Sequence, residues 1–133
     1  MTQDNTRGQP LATPRALNHV GITVPDIDAA IAWYGEVFGF RLIMGPREMA
    51  PDIAATEETG SVLGPRFRRT RQAHLVTANG VGLELFEFLD PPVEAPADNM
   101  EYWKAGYWHI CFTDPDIEGL VDRIVATGGK QRT

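Results

Sequence analysis

Imidazole and carboxylate side chains are the groups in this chain best suited to ligating metals or moving protons, and two of its three histidines are not placed independently. The stretch His19-Val-Gly-Ile-Thr-Val-Pro-Asp-Ile-Asp28 aligns without a gap to His109-Ile-Cys-Phe-Thr-Asp-Pro-Asp-Ile-Glu118, at a constant offset of 90 residues. His, Thr, Pro, Asp and Ile recur, and the remaining pairs are mostly conservative. Further on, Ile31 faces Val121 and Gly39 faces Gly129. A repeat of two copies points to a duplicated, pseudo-twofold fold rather than a solenoid.

The carboxylate that stands out is Glu84, in Val81-Gly-Leu-Glu-Leu-Phe-Glu-Phe88. As a strand, this run puts Glu84 on one face with Phe86 and Phe88, and Glu87 on the other with Leu83 and Leu85. If the two leucines pack under a helix, Glu84 points to the opposite, aromatic side. An acid there is costly to bury unless it meets a cation. Glu87, near the strand end, is expected to be solvated.

The elements that must carry these residues follow from periodicity. Val20, Ile22 and Val24 share one face of a strand, which turns His19 to the other; Trp108, Ile110 and Phe112 do the same opposite His109. Pro25-Asp26 and Pro115-Asp116 are helix starts. Ile27, Ala30, Ile31, Tyr34 and Phe38 form one helical stripe, and Ile117, Leu120, Val121 and Ile124 form another, with Gly39 and Gly128-Gly129 as terminators. Phe40–Met44 reads as a short strand, and 45–65 as a long loop with a helical turn near Ala54–Glu58. Ala73–Thr77 and Val81–Phe88 read as a hairpin around Ala78-Asn79-Gly80.

The bulk numbers are those of an ordinary globular chain. It has 133 residues, 43% hydrophobic and 23% charged, with a net charge of −6. An acidic balance argues against a nucleic-acid partner. No apolar run reaches the roughly 20 residues that span a bilayer, so no membrane partner is expected. With one cysteine, Cys111, no intrachain disulfide is possible, and a buried thiol in a cytoplasmic protein is the expectation. Arg66, Arg68, Arg69 and Arg71 are the main basic cluster, suited either to a solvated strand edge or to gripping a substrate carboxylate or phosphate. His74 is expected at the surface or in a cleft.

Leu17 to Phe40, with its Trp33-Tyr34 and Phe38-Gly39-Phe40, together with Leu83-Glu84-Leu85 and Gly106-Tyr-Trp-His109-Ile, resembles the vicinal-oxygen-chelate superfamily of glyoxalases, bleomycin-resistance proteins and extradiol dioxygenases. The resemblance implies an α+β fold: duplicated βαβββ modules forming a cupped mixed sheet. Residues 1–15 would be an N-terminal arm, 16–90 the first module, 91–105 a Pro-rich linker and 106–133 the start of the second. It implies a divalent metal held by His19, Glu84 and His109, a ligand set that suits Zn, Ni, Co, Mn or Fe. A fourth ligand would come from the last strand of the second module. The offset carries Glu84 to about position 174, past Thr133, so the second module is expected to be incomplete here and the sheet finished by further chain or by a partner.

The function implied first is a metal-dependent glyoxalase- or epimerase-like enzyme of the lactoylglutathione lyase type. The metal would take adjacent oxygens of a small substrate and stabilise an enediolate, with Glu84 as a possible base. Phe86, Phe88, Arg69 and Arg71 are the candidate substrate contacts. An Fe(II) extradiol ring-cleaving dioxygenase and a non-catalytic, bleomycin-resistance-like ligand-sequestering protein are the alternatives, and a homodimer is expected.

Overall fold

A computed structural model describes residues 13–53, 62–96 and 100–133. The elements run β1 (His19–Thr23), α1 (Ile27–Phe38), β2 (Arg41–Met49), β3 (Arg69–Val76), β4 (Gly82–Asp90) and α2 (Ile117–Ala126). The sheet order is β1-β4-β3-β2. β1 lies parallel to β4, and the other two pairings are antiparallel. This is an α+β module with one mixed four-stranded sheet. Most of the expected N-terminal arm and the helical turn expected near 54–58 lie outside the described residues.

Both helices begin as their sequence dictates. Asp26 Oδ1 accepts from the Ala29 N–H at 2.9 Å, and Asp116 Oδ1 accepts from the Gly119 N–H at 3.0 Å. Each cap satisfies one of the N–H groups that a helix start leaves orphaned. α1 ends on Gly39 at φ 67°, in the left-handed region where a glycine carries no Cβ penalty.

The core lies between α1 and one face of the sheet. Val24, Ile27, Ala73, Leu75, Leu83 and Leu85 are buried together, and Ala30, Ile31, Tyr34 and Phe40 pack against them. Leu83 and Leu85 are therefore under the helix, which leaves Glu84, Phe86 and Phe88 on the open face. Burial also pushes the Tyr34 phenol above its ordinary value.

Three expectations need correction. The second strand does not stop at Met44. It runs through Pro46 to Met49, because β2 is the sheet's edge, where a missing N–H breaks no ladder, and because register shifts on either side of Met44 absorb the irregularity. Residues 107–112 form no strand among the described residues. A strand needs a ladder partner, and among the described residues none lies beside 107–112 as β4 lies beside β1. Only Phe112 docks, its ring centroid 4.9 Å from Phe38 and 5.4 Å from Phe40. Cys111, on this uncovered segment, is exposed rather than buried.

α2 nonetheless forms and leans on α1, where the Trp33 indole donates to Thr127 Oγ1 at 2.8 Å. The Pro-rich linker begins by turning back, with the Val93 N–H bonded to the Phe88 carbonyl at 3.1 Å. No helix among the described residues is long and apolar enough to cross a membrane.

Candidate metal centre on the open face of the sheet

β1 and β4 are neighbours in register, Gly21 opposite Glu84 and His19 opposite Gly82. Period two sends His19 and Glu84 to the same open face. His19 Nε2 stands 3.3 Å from Glu84 Oε2. Two donors sharing one metal at about 2.1 Å, at angles between roughly 90° and 109°, stand about 3.0–3.4 Å apart, so this spacing is that of two adjacent ligands.

The other side of the imidazole supports the same reading. His19 Nδ1 lies 2.7 Å from Asn18 Oδ1. A carbonyl oxygen only accepts, so Nδ1 donates to Asn18 and Nε2 is the ring nitrogen turned toward the carboxylate. Either a proton on Nε2 or a metal ion shared by Nε2 and Oε2 satisfies both groups. Metal-ligating histidines are oriented by this kind of outer hydrogen bond.

The other oxygen, Glu84 Oε1, is engaged from β3. His74, opposite Glu84 in the hairpin register, places Nε2 at 2.8 Å from it, and the Gln72 amide donates to the same oxygen. The Glu84 side chain is only 13% exposed, yet every polar contact it makes is to an imidazole or an amide.

His109 is not brought to this cluster. It is exposed, its described contact is the Trp108 ring at 4.8 Å, and it touches neither His19 nor Glu84. Among the described residues, no group of three or more His, Cys, Asp or Glu side chains is arranged to hold a metal ion. The donor chemistry of His19 and Glu84 thus fits one half of a centre.

The expected substrate contacts divide by face. Phe86 and Phe88 line the open face with stacked rings, centroids 5.8 Å apart. Phe88 reaches a cleft of about 490 Å³ bounded also by Thr23, Leu63, Arg66, Phe67 and Val93. Four residues of strand, about 13 Å, separate Phe88 from Glu84.

Arg71 lies on the helix side. It bonds Asp28 at 2.9 and 3.1 Å and Glu87 at 3.1 Å. That contact corrects the expectation for Glu87. It is not solvated: its Oε2 takes Arg71 and, at 3.4 Å, the Ile27 N–H in the first turn of α1. The Arg71 guanidinium also holds the Asp28 carboxyl below its ordinary value. Arg69 pairs with Glu48 at 3.1 Å, and Arg68 donates to the Pro65 and Phe67 carbonyls. Three of the four arginines are thus engaged by carboxylates or carbonyls of the chain itself, and only Arg71 among them is even part-buried.

Sequence reasoning missed Asn18, Arg47 and Gln72 and undervalued His74. A signal for two of them was present: a hairpin centred on Asn79 pairs Thr77 with Val81, and counting outward sets His74 opposite Glu84 with Gln72 two residues along the same face.

The glyoxalase/bleomycin resistance protein/dioxygenase superfamily model matches residues 16–132. A lactoylglutathione lyase of Schizosaccharomyces pombe is 30% identical over 116 residues, which is 84% of this chain and 37% of that relative. The chain thus spans little more than a third of the relative's length. Among solved structures, a glyoxalase family protein from Bacillus cereus superposes with a TM-score of 0.65 at 28% identity, covering 90% of this chain and 77% of that one. A glyoxylase/bleomycin resistance protein/dioxygenase domain from Frankia sp. EAN1pec shares the fold, with a TM-score of 0.57 at 23% identity over 87% of this chain and 71% of that one. A family match over nearly the whole chain, on a βαβββ module with its own internal repeat, makes this protein a member of the glyoxalase/bleomycin resistance protein/dioxygenase superfamily.

Proposed function

We propose that this chain is part of a metal-dependent, glyoxalase- or epimerase-like enzyme acting on a small substrate with adjacent oxygens. The observation that carries the reading is the 3.3 Å approach of His19 Nε2 to Glu84 Oε2 on the open face. The likeness to a lactoylglutathione lyase supports the reaction class.

His19 and Glu84 would supply the first module's ligands, and His109 a ligand from the second. A divalent Zn, Ni, Co, Mn or Fe ion bound there would polarise the substrate's oxygens and favour loss of a proton from the neighbouring carbon. The chain's own residues do the rest. Asn18 orients the His19 ring. Glu84 Oε2, on leaving the metal, would be the oxygen that accepts that proton, since Oε1 is held by His74 and Gln72. Phe86 and Phe88 offer an apolar wall that excludes water and seats the remainder of the substrate. Arg71, held by Asp28 and Glu87 on the helix side, faces away from this site, and Arg69 would act on substrate only by giving up Glu48.

A second reading, ligand capture without chemistry, draws on the apolar cleft at Phe88 and on the position of His109 away from His19. Metal reconstitution separates the two. The protein is expected to bind one Ni²⁺, Co²⁺ or Zn²⁺ per chain and to turn over the hemithioacetal of an α-ketoaldehyde. His19→Ala and Glu84→Ala are each expected to weaken metal binding at least a hundredfold. A protein that binds no divalent metal, or binds it equally well without His19, would refute the enzyme reading and leave ligand capture.

A further inference from the structure

The open face holds three polar side chains from β2 and β3 that the family ligand set does not use: Gln72 and His74 both reach Oε1 of Glu84, and Arg47 holds Gln72 from behind. We infer that Arg47, Gln72 and His74 form a positioning shell that fixes Oε1 of Glu84, so that Oε2 alone is presented to His19 and a metal. This inference rests on the proposed metal reading.

The chain of contacts has a fixed direction. Arg47 Nε and Nη2 lie 3.3 and 3.1 Å from Gln72 Oε1. A guanidinium only donates, so that atom is the amide oxygen, and the Gln72 NH₂ group must face the other way. There it donates to Glu84 Oε1. His74 Nε2, at 2.8 Å, is the second donor to the same oxygen, which requires a proton on Nε2. With both donors on Oε1, a bidentate carboxylate is disfavoured and the lone pairs of Oε2 stay free.

The backbone is shaped to deliver Arg47. β2 pairs Met44 with His74 but Arg47 with Gln72, with a register shift between them. Continued without the shift, the strand would set Pro46 opposite Gln72 and turn Arg47 to the other face. Bulges re-aim side chains in this way. The shift turns on Gly45, at φ 84°, where any side chain would run into the Gln72 carbonyl. Among the described residues Arg47 pairs with no carboxylate, and its Nε and Nη2 bonds both go to Gln72.

Two measurements test this. The first is Co²⁺ affinity and the visible Co²⁺ spectrum in His74→Leu, His74→Gln and Arg47→Met. Outer hydrogen bonds to metal ligands typically carry a factor of about 10–100 in affinity. His74→Leu and Arg47→Met are expected to lose about tenfold and to shift the Co²⁺ bands. His74→Gln, which restores a donor at the Nε2 position, is expected to stay near wild type. Arg47 is exposed on an edge strand, so its variant keeps the fold if His74→Leu does not.

The second measurement is nitrogen NMR of the histidine rings in metal-free protein. His74 is expected to carry its proton on Nε2, and Glu84→Gln is expected to change that signal. Wild-type Co²⁺ affinity and spectra in both His74→Leu and Arg47→Met, or an unprotonated His74 Nε2, would overturn the positioning shell. Failure of the wild-type protein itself to bind Co²⁺ would instead overturn the metal reading beneath it.

Discussion

In the first copy of the repeat, His19–Thr23 lies in a parallel ladder against 82–86 of β4; in the second, the matching residues 109–113 pair with nothing among the described residues. The helices that follow do not differ in this way. Both start on an aspartate that caps the N–H three residues on, at 2.9 and 3.0 Å, although α2 buries only Leu120 and leaves Ile117 exposed. A helix is written locally, because its hydrogen bonds close within four residues. A strand is written by whatever lies beside it, and its sequence states only which face will be wet. The contrast reaches the site: His19 is aimed by a ladder, while His109, of the same motif, is exposed.

Core truncation should break the symmetry most. Leu85 is fully buried between the sheet and α1, and Leu85→Ala is expected to cost about 2–5 kcal/mol in urea unfolding. Ile110, in the unpaired copy, is 44% exposed, and Ile110→Ala is expected to cost less than about 1 kcal/mol. An equal cost at the two positions would show the second segment packed as a strand in solution.

The caps should restore the symmetry, at a smaller scale. Asp26→Ala and Asp116→Ala each remove one accepted N–H bond and are each expected to cost their helix about 1 kcal/mol. α1 roofs the core, so the first loss should appear in global unfolding. α2 rests on α1 through Leu120 and the Trp33–Thr127 bond, so the second should appear as faster amide exchange confined to 117–126. Global destabilisation by Asp116→Ala would mean that the two helices unfold as one unit.

The same division explains what could be read in advance. The repeat, both helix starts, the α+β class and the facing of Glu84 away from Leu83 and Leu85 were all legible, because each rests on period or on residues close in sequence. The extent of β2 was not. Pro46 reads as a break unless the strand is known to be an edge, and edge position is a property of the whole sheet. The Arg47–Gln72 contact was illegible for a related reason: one shifted register reverses which side chains share a face. The spending of Arg71 on Asp28 and Glu87 required knowing that α1 crosses above β3 and β4, and a charge cluster in sequence carries no record of its partners.

The smallest expected effect lies in that crossing. Asp28 and Glu118 occupy equivalent places in the two first turns, but among the described residues only Asp28 pairs with a guanidinium. The hydrogen bond from Arg71 lowers the Asp28 pKa in the folded protein below its ordinary 3.8. A carboxyl with a depressed folded pKa contributes stability that is fully present above the unfolded value and disappears as pH falls through the folded one. The stability gap between wild type and Asp28→Asn should therefore be constant near neutrality and close as pH falls below about 4, faster in low salt than in high. Arg71 keeps Glu87 in the variant, so the gap will be small and the fold intact. A gap for Asp28→Asn that does not change with pH would mean that Arg71 prefers Glu87 in solution, and that the two first turns are electrostatically alike after all.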